Sequence, residues 1–111
     1  MAQNRLTRGT AAVGALAVST GTTVKNIKSG TASVNFASIT NAETGSATFT
    51  VTGAAVGDIV VVNPPALTTG LVFGGATVTA ANTVTVYATN ASAAPINEDA
   101  KDFAYVWFDL T

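Results

Sequence analysis

Any catalysis in this 111-residue chain would fall to carboxylates, because the sequence holds neither histidine nor cysteine. Without histidine the usual general base and the Ser-His-Asp arrangement are gone. Without cysteine there is no thiolate nucleophile, no thiolate metal site and no disulfide framework. Serine and threonine are abundant, but no residue type that activates them stands nearby. Glu98, Asp99 and Asp102 share one polar stretch, and two carboxylates can in principle run a hydrolysis. Acids in a polar loop are ordinarily exposed and solvated, so no catalytic residue is expected here. Asn97 joins the same three acids as an oxygen ligand set for Ca²⁺, yet the spacing fits no calcium loop. No metal and no cofactor are expected.

Other motifs read more simply as structure. Asp58, between Gly57 and an apolar run, fits a side chain that bonds turn amides. Phe73-Gly74-Gly75 reads as a hairpin turn; no helix or lysine follows to make it a phosphate cradle. Asn90-Ala91-Ser92 meets the glycosylation pattern, but nothing in the sequence supports secretion. Tyr105 and Trp107 have the rings to stack on a sugar, although a terminal strand commonly buries them.

The composition points to contact rather than chemistry. Hydrophobic residues make up 48% of the chain and charged residues 10%, against roughly 25% charged in an average domain. Such a surface is poorly defended against association, and it is too apolar for a disordered chain. Its polar part is mainly Thr, Ser, Asn and Gly, which lose little side-chain entropy when covered. One domain is expected, and at this size it hides only about 60–70% of its unfolded surface, so burial against a partner adds much.

Charge is uneven. Arg5, Arg8, Lys25 and Lys28 lie in the first 28 residues, which contain no acid. The remainder sets Lys101 against Glu43, Asp58, Glu98, Asp99, Asp102 and Asp109. A basic arm on a weakly acidic body suits a neighbour's acidic surface. The cations are too few and scattered for a nucleic-acid patch, so no nucleic-acid partner is expected. Residues 9–19 form a small-residue run with a single leucine, weak for a secretory signal, and none is expected. No apolar stretch approaches the ~20 residues of a membrane-spanning helix, and no membrane partner is expected.

Residues 1–23 show no strand alternation and read as an extended N-terminal arm. Within it Arg5 and Arg8 offer charge, while Val13, Leu16 and Val18 offer apolar contacts. Residues 24–111 read as one β-sandwich domain. Period-two alternation runs through 32–36, 46–52, 76–80 and 83–89, placing Phe36, Phe49, Val51, Val78, Val84 and Val86 inside and threonines outside. Threonine is β-branched and suits a strand. Turn residues punctuate these runs at 41–45, 53–57, Gly74-Gly75 and Ala81-Asn82, with Gly74-Gly75 the strongest hairpin candidate. Asn63-Pro64-Pro65 stops the strand before it, because proline donates nothing to a ladder. Residues 90–102 should carry the chain from one sheet to the other. The pattern predicts an all-β sandwich or barrel-like sandwich of about seven to eight short antiparallel strands.

Two strands depart from alternation. Residues 59–62 are apolar on both faces, as is the run Phe103-Ala104-Tyr105-Val106-Trp107-Phe108. A two-layer domain of this size has one core to fill. One face of the last strand should therefore meet the core and the other a partner or the folded-back arm. Phe103, Tyr105 and Trp107 join the arm residues as interface candidates.

Gly53-Ala54-Ala55-Val56-Gly57-Asp58-Ile59-Val60-Val61-Val62, then Pro64-Pro65 and Gly70-Leu71-Val72-Phe73, resemble a small β-domain of tailed-bacteriophage virion proteins. The Val-Thr alternation through residues 76–90 and Ala94-Pro95-Ile96 continue the likeness, which spans about residues 30–108. The resemblance implies a capsid decoration (cement) protein or a module of head or tail fibres. A decoration protein of this kind implies a homotrimer on the outer surface of the capsid that clamps the major capsid protein. The short arm and missing fibre shaft favour decoration; a receptor- or glycan-binding module of a fibre or spike is the alternative.

Overall fold

The computed structural model describes residues 21–110. The expected arm therefore falls, for residues 1–20, outside the described residues, and with it Arg5, Arg8, Val13, Leu16 and Val18. The described chain is all-β. In chain order the strands are β1 (Asn26–Val34), β2 (Thr44–Thr50), β3 (Ile59–Asn63), β4 (Leu71–Ala80), β5 (Thr83–Asn90) and β6 (Lys101–Asp109). They form two three-stranded sheets, ordered β1-β6-β3 and β2-β5-β4. Every pairing is antiparallel.

Six strands stand among the described residues where the sequence pattern predicts seven to eight. The difference has a local cause at Gly74-Gly75. This pair does not turn the chain; β4 runs straight through it, with Gly74 as an extra residue between the Phe73–Ala88 and Gly75–Tyr87 pairs. Gly75 has φ +112°, so glycine serves a bulge here and not a hairpin. The reversal is made one run later, at Ala81-Asn82, where Asn82 adopts φ 61°. Asparagine tolerates that left-handed geometry because its short amide bonds locally. Here the amide Oδ1 accepts the Gly53 N–H at 2.8 Å, and the Asn82 N–H donates to the Ala54 carbonyl at 2.8 Å.

The two sheets share one core. Val84, Val86 and Ala88 of β5 are fully buried and meet Phe103 and Trp107 of β6, Phe49 of β2, Val34 of β1 and Val78 of β4. The Phe103 ring lies 6.3 Å from Phe36 and 5.9 Å from Phe73, and Tyr105 lies 5.3 Å from Phe49. Each large side chain buried this way contributes about 1.5–3 kcal/mol. A bridge between Ile39 and Ile96, with N–H to carbonyl distances of 2.8 and 3.0 Å, ties the β1–β2 connection to the long β5–β6 crossover.

Candidate functional site

Two acids, Asp58 and Glu98, are buried and held by the fold, Glu98 against the expectation of a solvated loop. Asp58 is buried and accepts hydrogen bonds from the Ala55 N–H at 3.0 Å, the Trp107 Nε1–H at 2.9 Å and the Leu110 N–H at 2.9 Å. It bonds a turn amide, as its position suggested, and also anchors the end of β6. Glu98 is buried as well. Its Oε2 accepts the Thr68 N–H at 2.9 Å, and its Oε1 pairs with the Lys101 ammonium at 2.6 Å. Lys101 also donates to the Ala66 carbonyl at 2.8 Å, so this cluster pins residues 66–68 to the crossover. The Lys101 hydrogen bond, then the Thr68 donor, hold the Glu98 carboxyl below its usual range against the opposing effect of burial. Asp99 and Asp102 are exposed. Among the described residues no group of three or more acids is placed to hold a metal ion.

Asn90 of the glycosylation pattern is fully buried. Its Nδ2 donates to the Ile39 and Ala94 carbonyls at 2.9 and 2.7 Å, and its Oδ1 accepts from the Ser92 N–H and Oγ–H at 2.8 and 2.7 Å. A side chain used on both atoms in this way is a loop staple, closed to modification in the folded state.

Strand β6 separates its two apolar faces cleanly. Phe103 and Trp107 point into the core and are buried, and Tyr105 is half-buried against Phe49. The structure thus places Phe103 and Trp107 inside the chain and leaves Tyr105 partly covered, at the edge of the open groove. The residues between them, Ala104, Val106 and Phe108, point outward. Because the strands pair in register, they line up with neighbours of the same kind. Phe108 stands between Ile27 of β1 and Ile59 of β3, and Val106 between Ser29 and Val61. Ile27, Ile59 and Val61 are 55%, 51% and 56% exposed. They account for three of the five large hydrophobic residues exposed among those described, the others being Val56 and Val72. A contiguous apolar patch of this kind on a small domain marks a contact surface.

Toward its other end the same face becomes polar, with Ala104 between Thr31 and Asn63. The small Ala104 side chain leaves an open groove of ≈ 410 Å³ bounded by Thr31, Val61, Asn63 and Val106. The opposite outer surface, on β2-β5-β4, is built differently. Thr48, Thr85 and Thr77 stand in one row, and Thr44 and Thr89 stand in another beside the exposed Val72. Thr44 and Thr89 share a hydroxyl hydrogen bond at 2.8 Å, as do Thr79 and Thr85 at 2.7 Å.

Comparison of the chain with protein families, curated proteins and solved structures gives no match. Sequence reasoning missed the outward set because it depends on register. Ile27 sits between Asn26 and Lys28 and looks isolated until β1 is laid against β6. The apolar run at 59–62 and the double-faced run at 103–108 were the available signal; pairing them predicts a shared outer face.

Proposed function

We propose that this chain is a virion structural protein: a capsid decoration (cement) protein that sits on the outer surface of a phage head, associates with itself and stabilises contacts between major capsid protein subunits. The observation that carries this reading is the apolar strip on the outer face of β1-β6-β3, in which exposed Ile27, Ile59 and Val61 flank half-buried Phe108 and Val106. Water-exposed aliphatic side chains in one strip offer free energy only to a partner that covers them. The return is about 25 cal/mol per Å² of apolar surface buried, less the cost of association. On a shell that repeats the contact many times, modest affinities add through multivalency. Ser29, Thr31 and Asn63 beside the strip carry no charge, so this part of the contact closes without stripping water from ions; exposed Asp102, opposite Ser33 on the same face, lies beyond Ala104. The strip supports association alone; the capsid part of the proposal rests on the sequence resemblance to phage virion domains.

The glycan-binding alternative needs an exposed aromatic platform. Trp107 is buried with its indole N–H on Asp58, and Tyr105 leans on Phe49, so both stacking candidates are engaged elsewhere. That removes Tyr105 and Trp107 as the stacking platform; the aromatic ring on the outer face is Phe108, set among aliphatic side chains.

The test is binding to empty heads assembled from the cognate coat protein. Wild-type protein should saturate them, and Val61→Asp should weaken binding about tenfold or more with an unchanged melting profile. Heads that take up the variant as readily as wild type would remove the apolar strip from the contact. Failure of the wild type to bind, with saturable binding to a carbohydrate, would favour the alternative.

A further inference from the structure

The four strands at the margins of the two sheets are not equally guarded. β3 is five residues long and is stopped by Pro64 and Pro65, which have no amide to donate. β4 carries two register shifts, at Gly74 and at Thr79. Short strands, prolines and bulges all discourage pairing with another chain. β3 lies over β4, so this side of the molecule is guarded in both sheets. The other side differs. β1 lies over β2, and each keeps an unbroken register, β1 over Asn26–Val34 and β2 over Thr44–Thr50. Neither contains proline or a bulge; β2 has no charge and β1 only Lys28. Among the described residues no strand pairs with the outer margin of either.

We propose that this side docks against the same side of a second copy, across a twofold axis perpendicular to the sheets. β1 then pairs with β1, and β2 with β2, of the second copy. A twofold axis reverses strand direction, so both new pairings are antiparallel, like every pairing inside the chain. The register that pairs all nine residues of β1 sets Gly30 against Gly30 of the second copy. It also places Lys28 opposite Ala32 of the second copy, which keeps the two ammonium groups apart.

Pairing turns two three-stranded sheets into two six-stranded ones, with the two apolar strips at opposite ends of the joined outer face, Ile27 standing opposite Ser33 of the second copy. From strand spacing and rise, a single three-stranded face covers roughly 400 Å² and the doubled face roughly 800 Å². The doubled value matches the ~800 Å² per partner of a stable protein interface. The single face falls short of it. The inference rests on the proposed function only for self-association. It joins copies in pairs, whereas the resemblance to decoration proteins implies threes.

Sedimentation velocity over a range of concentrations tests it. Three proteins are compared: wild type, Ser29→Lys/Ser46→Lys on the open side, and Thr77→Lys on the guarded side. Wild type and Thr77→Lys should be dimers, and the double lysine variant should dissociate at about tenfold or more higher concentration. Mixing it with Ser29→Glu/Ser46→Glu should restore dimers, which separates a lost contact from a damaged fold. A trimer, or a dimer indifferent to the lysine pair, overturns the edge pairing and leaves self-association standing. A monomer at every concentration overturns both. If its β1 amides also resist hydrogen exchange, the open side is covered by residues 1–20.

Discussion

The two outward sheet faces are made by the same period-two alternation and end in opposite chemistry. On β2-β5-β4 the residues that alternate with the core are mainly threonines, and their hydroxyls bond to one another across strands, as Thr44 does with Thr89 and Thr79 with Thr85. That surface is mainly polar, with Val72 as its exposed aliphatic side chain. On β1-β6-β3 the alternate residues are Ile27, Val106, Phe108, Ile59 and Val61, so burying one set of β6 side chains leaves a second apolar set outside. Such a face has no compensating hydrogen bonds and is relieved only by contact. Under the proposed function the difference says which side is covered, because an assembly protein needs one side that tolerates solvent and one that does not.

The largest expected effect comes from neighbouring substitutions on the two sides of β6. Trp107→Ala empties core volume and leaves the buried Asp58 carboxylate without its indole donor, and should cost about 3–5 kcal/mol. Val106→Ala, one residue away and facing out, should cost about 1 kcal/mol or less. Thermal or denaturant unfolding of both at low protein concentration decides it. If Val106→Ala approached the cost of Trp107→Ala, the outer face would be covered within the chain, and the contrast between the two faces would disappear.

Much of this arrangement is legible in the sequence because the core side of each strand is written locally. The alternation at 83–89 alone predicts that Val84 and Val86 are buried, and both are at 0% exposure. The apolar faces of 103–108 likewise announce that one must look outward. The sequence does not say which, because that depends on whether Phe103 and Trp107 or their neighbours fit beside Phe36, Phe49 and Phe73. Nor does it reveal that Gly74-Gly75 is a bulge. The pair is compatible with either geometry, and the better-bonded turn at Asn82, tied to residues 53 and 54, settles the competition. The roles of Asp58 and Asn90 are non-local for the same reason, since their partners lie up to 52 residues away in sequence.

An intermediate effect separates the ends of the molecule from its faces. Glu98 belongs to neither outer face and is held ionised by Lys101 and the Thr68 amide. Its folded pKa is lowered from 4.5, so the native state favours its charged form. The resulting stability is present above the ordinary glutamate range and is lost as pH falls through the depressed folded value. Glu98→Gln should lower stability at neutral pH and flatten this acid dependence, because the amide keeps the shape but not the charge. Unfolding measured from neutral to acidic pH checks this. Head binding per folded molecule should not change. A variant that unfolds normally but fails on heads would extend the contact surface to this crossover and blur the division between faces.

The smallest effect is expected on the hydroxyl face, and it is the most discriminating for the comparison. Thr77 is exposed on β4 in the row of Thr48 and Thr85. Thr77→Val keeps the β-branched shape, so stability should move by no more than about 0.5 kcal/mol. Head binding and self-association should stay at wild-type values, since this face needs no cover. If Thr77→Val instead weakened head binding as much as Val61→Asp, the hydroxyls themselves would be the recognised feature. The coat contact would then lie on β2-β5-β4, and the apolar strip would be left for copies of the chain to cover.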